Sequence, residues 1–302
     1  MFSKIHQAAQ QIGEVLVGKH LQIRQALACV LAGGHLLIED VPGVGKTTLA
    51  HALAISLGLQ WKRQQFTSDL LPADVAGMSV YDRGSGSFIF HPGPLFTQVL
   101  LADEINRATP KTQSGLLEAM EERQVTLDGV THALPQPFFV IATQNCAHQL
   151  GTFPLPESQL DRFLMCVTLG YPDAAAEREL LLGADRRAML QTLTAVMNAE
   201  ELLQAQAGLR AIHASVPVVD YVLALVHATR VPGVFADGLS PRAALALLQA
   251  ARAWAALAGR DHVTPDDVQA VLLPVCAHRL HAAQGATDSR TLLQQLLLAT
   301  PV

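Results

Sequence analysis

The sequence predicts an α/β fold: a parallel five-stranded sheet with helices on both faces, followed by an all-α domain. Three observations predict it. Short apolar runs alternate with helical patterns from the first residues to about Gly170-Tyr171-Pro172. Beyond that point no strand pattern survives and helix-start signals take over. A length of 302 residues suits about two domains, here 1–172 and 173–302.

Composition sets the bounds. Half of the residues are hydrophobic, 16% are charged and 5% are aromatic, so a large core of Leu, Ala and Val is available. The net charge is −5 and the pI ≈ 6.2, which leaves no basic footprint for nucleic acid; no nucleic-acid partner is expected. Cys29, Cys146, Cys166 and Cys276 are far apart with no C-x-x-C pair, and are expected as isolated buried thiols in a reducing compartment. The N-terminus lacks a signal-peptide run, and no stretch of about twenty apolar residues could span a membrane. A cytoplasmic location follows as an expectation.

In chain order, residues 3–17 carry a loose apolar stripe (Ile5, Ile12, Val15, Leu16), broken at Val17-Gly18-Lys19. A second helix is predicted over 20–31, stopped by Gly33-Gly34. The strand Leu36-Leu37-Ile38 leads into Glu39-Asp40-Val41-Pro42-Gly43-Val44-Gly45-Lys46-Thr47-Thr48, and Leu49, Leu53 and Leu57 then recur every fourth residue. This strand, glycine-bearing turn and helix start form a phosphate-binding loop. Its glycines let backbone N–H groups approach phosphate oxygens, and the helix N-terminus adds unpaired N–H groups and a positive dipole end. Pro42, Gly43, Val44, Gly45, Lys46, Thr47 and Thr48 are the candidate binding residues. Lys46 would reach the β- and γ-phosphates, and the Thr47 hydroxyl would ligate Mg²⁺. Asp40 stands where the simple pattern has its first Gly.

A short strand is predicted over 64–67 and a helix start over 70–75. The runs 78–82 and 87–90 flank Arg83-Gly84-Ser85-Gly86 as a hairpin. Val99-Leu100-Leu101-Ala102 is a buried strand ending in Asp103-Glu104. An Asp-Glu pair can simply end a strand at the surface. Downstream of a phosphate loop it is read instead as the second half of a nucleotide site, since ligands sit at the carboxyl ends of parallel strands. Asp103 would hold the hydrated Mg²⁺, and Glu104 would activate the attacking water.

Thr109 is an N-cap with Pro110 opening a helix over 110–122. The runs 124–127 and 130–134 form a second hairpin around Asp128-Gly129. Residues 138–143 are the most apolar strand, ending in Gln144-Asn145. A short helix near 155–163 precedes a fifth strand over 165–169. In the all-α part, Asn198 caps a run with Glu201 three residues on. Ser240-Pro241 opens a long Ala/Leu helix that stops at Gly259, and Thr264-Pro265-Asp266-Asp267 is a capping box.

With these blocks in place the chain resembles, nearly end to end, the MoxR group of AAA+ ATPases, which are P-loop NTPases with a C-terminal helical lid. The matching stretches are 39–47, 69–75, 90–96, 101–108, 118–122, 142–145, 155–163 and 240–243. Asp40 is acceptable in that family; Cys146 departs from it, where Pro is expected after Asn145, and should alter the local turn. The resemblance implies that Asn145 is the sensor-1 residue that positions water with Glu104. It implies that Arg162 is the arginine finger reaching a neighbouring subunit's γ-phosphate. Arg242 would be sensor 2, touching phosphate within its own chain, and Arg107 a second interface arginine. Val17-Gly18 would lie against adenine, and the two hairpins would face a ring's central channel.

It further implies ATP with Mg²⁺, a homo-oligomeric ring, a hexamer by resemblance, and chaperone-like work on a client protein alongside a von Willebrand factor A domain partner. A metal-chelatase-type motor subunit, and a nucleotide-dependent switch with little turnover, stand as alternatives.

Overall fold

The computed structural model describes residues 2–145, 151–183, 186–283 and 288–301. Cys146, including the expected change of turn, lies outside these residues. Two helices, α1 (Phe2–Val15) and α2 (His20–Leu31), precede β1 (His35–Glu39) and α3 (Lys46–Ser56). Then come β2 (Trp61–Gln65), α4 (Pro72–Ala76), β3 (Gly77–Asp82), β4 (Ser87–Pro92) and β5 (Val99–Asp103). A 3₁₀ turn at Ile105–Arg107 leads to α5 (Pro110–Glu122), β6 (Gln124–Leu127), β7 (Val130–Ala133), β8 (Phe139–Gln144), α6 (Glu157–Leu160) and β9 (Phe163–Val167). The helical part comprises α7 (Ala174–Leu182), α8 (Arg186–Thr192), α9 (Ala199–Gly208), α10 (Val216–Thr229), α11 (Pro241–Leu257), α12 (Pro265–Cys276) and α13 (Ser289–Ala299).

The main sheet is five-stranded and parallel, in the order β2-β5-β8-β1-β9. Its central strands are apolar on both faces because both faces are covered. Leu36, Ile38, Val99, Leu101, Phe139 and Ile141 point to one core. Leu37, Leu100, Ala102, Val140 and Ala142, the alternate positions, point to the other. The first core runs without a break through α1, α2 and α3 into the buried residues of α9 to α12, so the helical part packs directly on the sheet's layer of helices.

Two predicted strands are displaced. The strand expected over 64–67 is β2, three residues earlier. Parallel pairing from Trp61↔Val99 to Gln65↔Asp103 sets its bounds, and the polar sequence Lys62-Arg63-Gln64 tolerates this because β2 is an edge strand. The fifth strand begins at Phe163, not 165, because Phe163 already pairs with His35. The capping predictions match the structure. The Thr109 side chain accepts from Thr112 N–H, Asn198 and Glu201 cap each other reciprocally, and the N–H and hydroxyl of Thr264 both donate to Asp267 Oδ2.

The two hairpins are present and adjoin one another. Phe90 of β4 stacks on His132 of β7 with ring centroids 4.0 Å apart. Asp128 and Gly129 both have positive φ (51° and 78°), as a two-residue turn between right-twisted strands requires.

Candidate nucleotide-binding and hydrolysis site

Strand order places the site. β1, β8 and β5 are neighbours, so the loop after β1, the end of β8 and the end of β5 open on one cleft. The cleft has a volume of ≈ 350 Å³ and is lined by Pro42, Gly43, Gly45, Lys46, Thr47, Thr48, Arg63, Asp103, Glu104 and Asn145. A larger groove of ≈ 1190 Å³ lies between α1, α2 and the end of α11, but the expected phosphate-binding chemistry is in the smaller cleft.

Gly43 and Gly45 sit at φ 87° and 97°, where L side chains are strained, and a Cβ on Gly45 would come within 2.9 Å of Leu16 Cδ1. Gly45 is the N-cap of α3 and has no side chain to cap the helix, so the first N–H groups of the helix stay available to an anion. Asp40 is buried and braces the loop. One carboxylate oxygen accepts from Val41 N–H (2.8 Å), the other from Gly170 N–H (2.6 Å). A glycine could not make that second link, which explains physically why an aspartate serves here. Lys46, only 8% exposed, donates to Asp40 carbonyl oxygen (2.8 Å) and Asn145 Oδ1 (3.0 Å).

Asn145 joins the two halves of the cleft, since its Nδ2 donates to Glu104 Oε1 (3.1 Å). Glu104 Oε2 accepts from Gln65 Nε2 (2.8 Å) and Arg107 Nη1 (2.9 Å). Glu104 also has left-handed backbone (φ 56°), tied down by its N–H donating to Thr143 Oγ1 (2.9 Å). A non-glycine residue in that region carries strain of about 1 kcal/mol or more, held by the surrounding contacts. Thr143 in turn donates to Asp103 Oδ1 (2.6 Å).

Thr47 and Asp103 bring a hydroxyl and a carboxylate to the same cleft, hard oxygen donors of the kind Mg²⁺ takes when phosphates complete its shell. The other Asp103 oxygen holds the guanidinium of Arg63 (2.6 and 3.1 Å), so the position already attracts a cation. These residues fit a magnesium ion. Arg63 and Gln65 were missed in the sequence. Their only signal was a run of polar side chains on a weak strand, and nothing local linked β2 to Asp103-Glu104.

The expected arginines lie elsewhere. Arg162 Nη2 is 3.1 Å from Glu121 Oε2, and Arg242 Nη1 is 3.3 Å from Glu121 Oε1. Arg242 Nε also faces Asp161 Oδ2 at 3.6 Å. The first turn of α11 packs against Asp161 and the end of α5, and Arg242 is not among the residues lining the cleft. Arg107 contacts Glu104 in its own chain. Of the pair expected against adenine, Val17 lines the larger groove, and a Cβ on Gly18 would meet the Ala176 side chain at 2.8 Å.

Comparisons with known proteins agree on the framework. Residues 35–165 match the model of the ATPase family associated with various cellular activities (AAA), and 227–296 match the AAA lid domain. The chain is 40% identical over 289 residues to the chaperone MoxR1 of Mycobacterium tuberculosis, covering 91% of this chain and 75% of that one. It is 46% identical over 273 residues to the uncharacterized protein YeaC of Bacillus subtilis, covering 90% and 85%. A solved structure from Cytophaga hutchinsonii superposes with a TM-score of 0.89 at 35% identity, covering 99% of this chain and 95% of that one.

Proposed function

Because this chain belongs to the MoxR family of chaperone-like AAA+ ATPases and is an ATP hydrolase, we propose that it hydrolyses Mg-ATP at the Lys46–Glu104 cleft within a homo-oligomeric ring. One observation carries this reading. Asn145 bonds both Lys46 and Glu104, so a phosphate held by the lysine lies beside the carboxylate that would activate water. The chemistry is a direct in-line attack on the γ-phosphate. Lys46 and the N–H groups of the loop bind and orient the triphosphate. Glu104 takes the proton of the attacking water, and Asn145 fixes that water's place. When bound, Mg²⁺ would neutralise charge on the phosphate oxygens, held by Thr47 and, through its hydration shell, Asp103.

The ring is a hexamer in this reading. Arg162 and Arg242, on one shared surface away from their own cleft, act together on the γ-phosphate held by the next subunit. A guanidinium there stabilises charge developing on the transferred phosphoryl group. Hydrolysis then does work on a client protein in the cytoplasm, in maturation or in cofactor or metal insertion, with a von Willebrand factor A domain partner.

The switch reading is favoured by one observation: both Glu104 oxygens are already engaged, by Gln65, Arg107 and Asn145. A steady-state ATPase assay of wild type against Glu104→Gln decides between them. The hydrolase reading expects the variant to lose about a hundredfold or more while still binding nucleotide. A wild type as slow as the variant establishes the switch instead.

A further inference from the structure

Between the helical part and the arginine surface lies a buried guanidinium that the proposed chemistry does not use. Arg279 stands in the 3₁₀ turn after α12 (Ala277–Arg279), and its side chain is only 6% exposed. Its Nε donates to Asp161 Oδ1 at 2.7 Å, and its Nη2 to the carbonyls of Asp161 (3.3 Å) and Phe163 (2.7 Å). Its Nη1 donates to the carbonyls of Leu164 (3.2 Å) and Val275. The fork thus grips the main chain on both sides of Arg162. Neighbouring His278 adds a contact from Nε2 to the Phe163 carbonyl at 3.1 Å. The remaining Asp161 oxygen faces Arg242, so one carboxylate links the buried guanidinium to the second arginine of the pair.

We propose that Arg279 is a positioning residue. It locks the Asp161–Leu164 main chain and the Asp161 carboxylate, so the Arg162/Arg242 pair that a subunit offers its neighbour is set by its own helical domain. The proposal rests on the reading that these arginines act between subunits. Four carbonyls and a carboxylate converge on one buried point, and only a planar fork of five donors satisfies them together. Lysine, with three donors on a single nitrogen, cannot span that set. Displacing a charge-stabilising group by about 1 Å can cost about a hundredfold in rate. The effect belongs in turnover and not in ATP binding, because the cleft containing Lys46 is made by other segments.

The test uses the full-length chain with Arg279→Lys and, separately, Asp161→Asn. Turnover, nucleotide affinity by fluorescent-nucleotide titration, and thermal unfolding are measured for each. Both variants are expected to lose about ten- to a hundredfold in kcat, with nucleotide affinity and ATP KM near wild type. Mixing either variant with Lys46→Ala should then restore turnover, because the Lys46→Ala subunits present intact arginines to intact loops. Arg162→Ala mixed with Lys46→Ala is the reference.

If the reference mixture recovers activity and the Arg279→Lys and Asp161→Asn mixtures do not, Arg279 has a merely structural role and the proposal is overturned. Wild-type turnover in both variants overturns it as well. If the reference mixture itself fails to recover, the between-subunit reading beneath it fails, and the proposal with it. Should Arg279→Lys not fold, Asp161→Asn decides alone, since it keeps the guanidinium bonds to the carbonyls and removes only the shared charge.

Discussion

The phosphate cleft and the arginine surface are both polar constellations on one chain, and they are built in opposite ways. The cleft is made from consecutive residues at the ends of neighbouring strands: Asp40 to Thr48 after β1, Asp103-Glu104 after β5, Thr143 to Asn145 at the end of β8. The arginine surface draws single residues from distant segments. Glu121 comes from the end of α5, Asp161 and Arg162 from the turn between α6 and β9, Arg242 from α11 and Arg279 from beyond α12. A strand end places several groups at once, whereas packing places each of the others separately. The cleft should therefore tolerate changes in the helical domain that the arginine surface does not.

The largest expected effect separates the two regions outright. Lys46→Ala should abolish turnover through loss of nucleotide binding. Arg162→Ala should leave binding near wild type and lower kcat about a thousandfold, the scale of an arginine acting on a transferred phosphoryl group. Titration of a fluorescent nucleotide alongside an ATPase assay measures both, and a binding defect in Arg162→Ala would merge the regions the comparison keeps apart.

A smaller effect is expected for Arg242→Ala. Arg242 is half-exposed and shares Glu121 with Arg162, so its removal should cost about tenfold in kcat and leave Arg162 with an undivided acidic partner. A loss as large as that of Arg162→Ala would show that the second arginine is an equal member of the pair.

The smallest effect concerns stability, at a residue beneath both regions. His35 opens β1, accepts from Val140 N–H at Nδ1 (3.0 Å) and donates from Nε2 to the carbonyl of Met120 (3.2 Å), next to Glu121. Burial, chiefly, holds its pKa down to about 4. Since the folded value lies below the unfolded one, the unfolded chain binds the proton more readily. Stability from His35 is full above about pH 6.5 and falls as the pH drops towards 4, by about 3 kcal/mol in all. Urea unfolding between pH 7 and 4.5 should show this loss, and His35→Gln should flatten it. An equal slope in the variant would move the effect to another group, with His278, held down to about 3 by burial, the next to examine.

Much of the cleft was legible beforehand because its signals are local. Glycines at the left-handed turn, a lysine and threonine opening a helix, and carboxylates ending an apolar run each follow from the few residues around them. Helix caps were legible for the same reason. Thr109, Asn198 and Thr264 each bond a group three residues away, a distance the sequence displays directly.

What stayed hidden is what depends on pairing and packing. β2 was read too late because its own sequence is polar, and its bounds come from β5. Arg63 and Gln65 became neighbours of Asp103 and Glu104 only through that pairing. Arg242 stands with Arg162 because the packing of α11 carries its first turn to Glu121 and Asp161. By itself, then, the sequence determined the phosphate loop, the carboxylate pair, the two hairpins and the change from strands to helices, since each is written in residues a few positions apart. Only the tertiary structure decided which charges share a carboxylate, because the Glu121, Asp161, Arg162, Arg242 and Arg279 side chains meet through packing that no short stretch of chain encodes.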